Sequence, residues 1–405
     1  MVVIDCGTLV DGRADDPLSD ARIVVDEETI TAVGPQEAVD VPDGHDHVSY
    51  PDSTVIPGLI DAHVHLQGSR SMDPMEWVTE GDALCAARAT ADLRDLLAAG
   101  FTSVRDVGST TGLGLRGAVE SGDVPGPRVY TSGQSISQTA GHGDSHSLPY
   151  EWAADAGLGI STLADGPAEC RKAARKQIRE GVDSLKIMTT GGVLSERDAP
   201  DQSQFTDAEI AAMTEEAHRV GIPVASHAQG AAGIKSALRN GVDTIEHGFY
   251  IDDEAVDLLL STDATFVPTL AIMHRIVEHG DDHGVPEHGL RKAREAYDAH
   301  RESVRKAYDA GVPIALGTDF LGPDLVPHGE NAMEAELFVE EIGMSEMEAI
   351  QAGTRVAART VPDDDLGTVE SGQRADLVVL DENPLDDISA VRESVAAVYA
   401  RGEKA

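Results

Sequence analysis

Through the middle of the chain, short apolar runs alternate with longer amphipathic stretches. The runs predict strands at residues 55–65, 102–106, 128–132, 184–188, 223–227, 244–247, 265–269 and 313–319. Patterns of helical period fill the gaps, and helices are expected at 83–99, 166–180, 206–220 and 287–310. Strands alternating with helices over roughly 300 residues are the pattern of an α/β protein with a (β/α)8 TIM barrel. A doubly wound open sheet is the competing arrangement, but no GxGxxG opens a helix after the first strand.

The two ends have a different texture. Residues 2–5, 21–25 and 29–33 read as short β segments, punctuated by Gly7, Gly12 and Gly34 as turn residues. The same texture returns at 376–380 and 395–399, separated by DENPLDD. Neither end alone has strands enough for a stable sheet, so the two are expected to pair. The predicted division is a small composite β-sandwich domain, 1–56 plus 364–405, beside a barrel domain, 57–363.

Composition and charge narrow the classes of partner. The chain has 405 residues, 41% of them hydrophobic, enough for a large buried core. It carries 72 Asp and Glu against 31 Lys and Arg, a formal net charge of -41, and only seven of the 31 are lysines. An acidic surface of that size repels phosphate backbones, so no nucleic-acid partner is expected. The acids are scattered through the whole chain. Scattered acid with scarce lysine resembles the proteins of salt-accumulating halophiles, where a Debye length of ~3 Å or less screens self-repulsion. No run approaches the ~18 uncharged apolar residues of a membrane span. The N-terminus has no basic n-region, and Cys6, Cys85 and Cys170 are too scattered for a disulfide framework. A cytoplasmic protein is the expectation.

Polar residues close several of the apolar runs. The first ends Asp61-Ala62-His63-Val64-His65, and side chains two apart on a strand share a face, so His63 and His65 can grip one ion. Lys186 stands between Leu185 and Ile187, where an ammonium is expensive unless paired or neutralised. A neutral amine there can add carbon dioxide and become a carbamate able to bridge two cations; a barrel lysine in a salt bridge is the plainer reading. His227, His247 and Asp319 close the runs 223–227, 244–247 and 313–319 in the same way. Barrel enzymes place their active sites at the C-terminal rim of the strands, so these residues together form a candidate metal site.

Other polar residues lie on nearby loops. His142 stands between Gly141 and Gly143, which let backbone approach a ligand closely. Tyr250, just past His247, is a candidate to bind a carboxylate or polarise a carbonyl. Arg197 has two readings: a bidentate contact to a substrate carboxylate, or pairing with Asp198 or Asp201, the second being preferred. His274, His279, His283 and His288 are expected on a long exposed loop after the seventh strand, in the position of a lid.

The order HxH, Lys, His, His, Asp on a barrel flanked by a split β domain resembles the amidohydrolase superfamily. The likeness runs from PGLIDAHVH at 57–65 to GQRADLVVL at 372–380 and the NPL beyond it. Within the superfamily, GQSIS (133–137), GHGD (141–144), TTGGVLS (189–195), GFYI (248–251) and PHGENAMEAEL (327–337) are similar to one branch. That branch is the Xaa-Pro dipeptidases and related metallo-carboxypeptidases, in the neighbourhood of imidazolonepropionase-like proteins.

The resemblance implies two divalent ions, zinc first among zinc, manganese and cobalt. It implies that His63 and His65 share one ion with Asp319, that His227 and His247 hold the other, and that Lys186, as N6-carboxylysine, bridges them. The implied reaction is hydrolysis of an amide or peptide bond beside a C-terminal carboxylate, with a bridging hydroxide as nucleophile and Asp319 as base, then acid. His142 and Tyr250 would contact the substrate, a dipeptide or N-acyl amino acid. Relatives of this kind often form symmetric oligomers, so a homo-oligomer is expected. Imidazolonepropionase-like ring opening or deamination usually runs on one metal, for which a bridging carbamate serves little purpose. A non-catalytic scaffold of the same fold would have lost ligands, and all six are present here.

Overall fold

The computed structural model describes residues 1–41, 44–154, 161–193, 197–285 and 287–405. Both ends of the chain feed one seven-stranded sheet. Its order is Glu403–Lys404, Val395–Ala400, Leu377–Leu380, Asp46–Pro57, Val2–Leu9, Leu18–Asp26 and Thr29–Pro35. Neighbours run antiparallel except Val2–Leu9 beside Asp46–Pro57. Ile4, Ile23, Ile30, Leu377 and Val379 are buried together as its apolar core. Ile30 N–H donates to the Gln373 carbonyl at 2.8 Å, which brings Thr29–Pro35 back against the segment before Leu377–Leu380, and among the described residues the strands expected in a sandwich form one continuous hydrogen-bonded ladder. The reason is the length of Asp46–Pro57, 12 residues, which pairs with the N-terminal strand along most of its course and with Leu377–Leu380 at its end.

Gly58 separates this sheet from the next region. A Cβ at Gly58 would lie 2.1 Å from Thr102 Oγ1, so the chain passes here only without a side chain. The single strand expected at 55–65 is thus two strands in two sheets. Leu59–Val64, Phe101–Asp106 and Arg128–Thr131 form a three-stranded parallel sheet. Ser161–Leu163, Ser135–Ser137, Leu185–Met188, Val224–Gly230, Thr244–Tyr250 and Thr265–Val267 form a six-stranded parallel sheet. Two of these, Ser135–Ser137 and Ser161–Leu163, were not expected, because three residues are too few to show a period. The helices Asp82–Ala98, Gly166–Glu180, Asp207–Arg219 and Glu287–Asp309 lie close to their predicted bounds.

The expected eighth strand, 313–319, is not a regular strand. It touches both parallel sheets through individual hydrogen bonds. Phe266 N–H donates to the Pro313 carbonyl at 2.9 Å, Ala62 N–H to that of Leu316 at 2.9 Å, and Asp319 N–H to that of His63 at 2.7 Å. The ladder breaks because Gly317 is pressed against His63 and Asp319 has φ of 60°, in the left-handed region. At the other seam Asp183 N–H donates to the Thr131 carbonyl at 2.8 Å. The regular ladders therefore do not close into a barrel of eight strands. The stretch expected as an exposed loop also differs: Leu270–His279 is a helix that buries Leu270, Ile272, Met273 and Ile276. Among the described residues no helix is long and apolar enough to cross a membrane.

Gly58 makes a test of how the two regions are joined. Gly58→Ala forces its new methyl onto Thr102 and is expected to cost about 1–3 kcal/mol, the usual range for overpacking. Chemical denaturation of the variant measures this, and an unchanged midpoint would show that the junction relaxes freely.

Candidate metal centre

Side chains of His63, His65, Lys186, His227, His247 and Asp319 line one cavity of about 160 Å³. The structure brings all six together, though not all at strand ends. His65 follows the strand Leu59–Val64, while His227 and His247 lie inside Val224–Gly230 and Thr244–Tyr250. His65 Nε2 lies 3.0 Å from Asp319 Oδ1 and His63 Nε2 lies 3.5 Å from it. Each of these three residues offers a ligand atom within 4.8 Å of the others. The His63, His247 and His227 rings follow one another, with centroids 5.0 and 4.6 Å apart.

Hydrogen bonds fix which nitrogen of each ring faces the cavity. His63 Nδ1–H donates to Glu246 Oε2 at 2.7 Å, and His65 Nδ1–H donates to the Gly108 carbonyl at 2.7 Å. Both rings therefore turn Nε2 toward Asp319, and each Nε2, once without its proton, would be free for a cation. His227 Nε2–H donates to the Gly191 carbonyl at 3.1 Å, and His247 Nδ1 pairs with Thr269 Oγ1 at 2.8 Å. Burial pushes His63 down to about 4, with Lys186 adding to the effect, and holds His227 and His247 well below the usual histidine range. Burial acts to raise the Asp319 carboxyl, but His63 and His65 outweigh it and hold the group below its ordinary value.

Lys186 is the outlier. Its Nζ is buried and has no hydrogen-bond partner among the described residues. Burial brings it down to about 8, although Glu246 and Asp319 favour its charge. Imidazole and carboxylate donors together with a readily neutralised amine fit divalent cations of the zinc, manganese and cobalt kind.

The residues that hold these groups were mostly missed by the sequence reading. Glu246 is wholly buried, and Arg105 donates to its Oε1 at 2.8 Å. Arg105 thereby overrides burial and keeps the carboxyl well below the carboxylate range. Asp61 Oδ1 accepts from His63 N–H at 3.0 Å and Thr318 N–H at 3.2 Å, joining the segments that carry His63 and Asp319. Asn331 donates to Asp61 Oδ2 at 2.7 Å. One turn later, Glu334 accepts from Leu270 and Ala271 N–H at 2.9 and 2.6 Å, capping the helix that follows Thr269. The adjacency of Glu246 to His247, and the Asn-x-x-Glu spacing of 331–334, were the available signals.

The loop residues separate into two groups. His142 lies against the site, its ring stacked on His227 at 4.2 Å and its Nδ1 3.5 Å from Asp198. Gly192 makes room for it, since a Cβ there would sit 2.2 Å from the His142 ring. Tyr250, 37% exposed, and Arg197, exposed, are not among the residues lining this cavity. Asp198, one of the two acids considered as a partner for Arg197, turns inward and accepts from Gly192 N–H and Gln204. The last two residues of the 189–195 motif lie outside the described residues.

Residues 54–404 match the model of the amidohydrolase family. The chain belongs to that family. Ochratoxinase of Aspergillus niger is 33% identical over 417 residues, spanning 98% of this chain and 85% of the relative. Its crystal structure superposes with a TM-score of 0.91 at 32% identity, covering 100% of this chain and 95% of the other. A prolidase solved with N-methylphosphonate-L-proline is 35% identical, with a TM-score of 0.92 and coverage of 100% and 99%. A Xaa-Pro dipeptidase with bound methionine is 34% identical, with a TM-score of 0.89 and the same coverage. These family members make the parallel-strand region a TIM-barrel-like domain and the chain a metal-dependent hydrolase of carbon–nitrogen bonds.

Two substitutions separate holding the site from building it. Glu246→Gln keeps the shape but removes the charge facing Arg105 and His63. It is expected to lower metal affinity about 10–100-fold, the usual effect of losing an outer hydrogen-bond partner. Glu246→Ala leaves Arg105 buried without its partner and should cost about 3–5 kcal/mol of stability. Metal titration and denaturation distinguish the two, and equal metal affinity in all three proteins would remove Glu246 from this role.

Proposed function

We propose that the chain hydrolyses the amide bond of a dipeptide or N-acyl amino acid beside a free C-terminal carboxylate. The observation that carries the reading is the buried Lys186 amine, without a hydrogen-bond partner among the described residues, facing the same cavity as His63, His65, His227, His247 and Asp319. Full-length likeness to a prolidase and a Xaa-Pro dipeptidase supports the substrate class.

In this reading His63, His65 and Asp319 would hold one divalent ion and His227 and His247 a second, and Lys186, as N6-carboxylysine, would supply a further anionic ligand to them. A pKa near 8 leaves part of the Lys186 population neutral, the form that adds carbon dioxide. When bound, such ions polarise a carbonyl and acidify water, and zinc is the first candidate. The chain's own residues do the rest. Asp319, ionised and 3.0 Å from His65, accepts the proton of the attacking water and returns it to the leaving nitrogen. His142, held by Asp198 and Gln204, orients the substrate carbonyl. Tyr250 and Arg197 would reach only a substrate that extends to the rim. The division at 56/57 and 363/364, a homo-oligomeric state and a cytoplasmic setting belong to the same reading. So does adaptation of the charged surface to multimolar salt.

Prolonged chelation should abolish hydrolysis of a dipeptide panel in multimolar KCl, and zinc should restore it; activity that survives complete metal removal would end the proposal. Asp319→Asn should lower kcat by about 10²–10⁴-fold, the share usual for an acid–base group, with bound metal measured alongside. Thermal stability should climb with KCl until the Debye length falls to ~3 Å near 1 M. A flat response across that range would refute the salt adaptation.

A further inference from the structure

A second cavity of about 610 Å³ adjoins the metal-site cavity, and the two share Trp77 and His142 in their walls. The inner cavity, at about 160 Å³, is the size of a void that admits a benzene-like group. The outer one falls in the ~300–1,000 Å³ range of small-molecule sites. An amide whose carbonyl reaches Asp319 therefore places one flank, no larger than a single side chain, among Phe249, Ile272 and Met273. Its other flank, leaving on the side of Trp77 and His142, enters the outer cavity.

This neck is fixed from both sides. Trp77 Nε1–H donates to the Ser71 carbonyl at 2.7 Å, on the helix Pro74–Thr79 that Asp73 caps through Met75 N–H at 2.9 Å. His142 is stacked on His227 and seated over Gly192. Beyond the neck the walls include Met72, Pro74, Val285 and Leu325 and the imidazoles of His146 and His283, beside polar groups such as Arg70. Flat rings and apolar edges of this kind stack on other rings. In a chain of net charge -41, Asp73 and Asp324 are the only acids in this lining among the described residues.

We propose that the outer chamber is a binding subsite for a flat aromatic group, so that the enzyme prefers asymmetric amides with one compact flank and one bulky aromatic flank. The proposal rests on the amide-hydrolase reading above and adds the size and chemistry of the substrate.

The test uses the zinc-loaded full chain in multimolar KCl with two matched pairs of substrates. One pair enlarges the acyl side, N-acetylalanine against N-(2-naphthoyl)alanine. The other enlarges the amine side, N-acetylalanine against N-acetyl-3-(2-naphthyl)alanine. Enlarging one flank should raise kcat/KM by about tenfold or more, and enlarging the other should lower it, in the range of pocket discrimination. Ser147→Trp, at an exposed position of the chamber rim, fills the space with an indole and should cut the bulky-to-acetyl ratio by about tenfold. Equal rates within both pairs, or a ratio untouched by Ser147→Trp, would overturn the subsite while leaving the amide hydrolase standing. If Ser147→Trp fails to fold, the wild-type pairs decide alone. Hydrolysis of none of the substrates would instead overturn the amide-hydrolase reading, and the subsite with it.

Discussion

The site is organised around a carboxylate that water never reaches. A lone buried carboxylate costs several kcal/mol, so Glu246 is tolerable only with its oxygens saturated. Arg105 takes Oε1 and His63 takes Oε2, while Arg105 also donates to the Ala62 carbonyl at 2.5 Å and to Thr244 Oγ1 at 3.0 Å. Three strands, Leu59–Val64, Phe101–Asp106 and Thr244–Tyr250, thus meet at one ion pair. A slip of one residue in any of them would leave a charge unpaired in the interior. The same contact orients His63, so register and imidazole tautomer are set by a single demand.

Around this anchor the backbone departs from comfortable geometry. His247, Thr269 and Asp319 all have positive φ, at 73°, 57° and 60°. Such conformations cost on the order of 1–3 kcal/mol each in a non-glycine residue and persist where surrounding bonds over-determine them. Here those bonds are visible: Asp61 holds Thr318 beside Asp319, and Glu334 holds the amides beyond Thr269. The strain sits in the cavity wall and the restraint lies behind it.

This division explains what could be read from the sequence. His63, His65, Lys186, His227, His247 and Asp319 were legible because each is a polar residue in an otherwise apolar run. The helices were legible because their period extends over many residues. Glu246 was not, since strand alternation puts it on the face opposite His247, where an acid reads as solvent-facing. Asn331 and Glu334 act on groups 270 and 63–64 residues away in sequence, which no local pattern encodes. The eighth strand was overread because hydropathy marks burial, and residues 313–319 are buried without being a regular strand. That the two ends pair was legible in their shared texture, but not that one long strand, Asp46–Pro57, joins them.

The sheet made from both ends of the chain has a consequence for how the protein is made. Asp46–Pro57 runs straight through Gly58 into the strand that carries His63. One of its edges stays open until Leu377–Leu380 arrives to pair with Pro57 through Thr54. On a ribosome that partner emerges only after the intervening strands and helices have appeared. An unpaired apolar edge during that interval is a template for pairing with other chains. Leu377–Leu380 therefore closes the sheet from which the first metal-site strand departs, so that sheet is completed only after the parallel-strand region between them has been made.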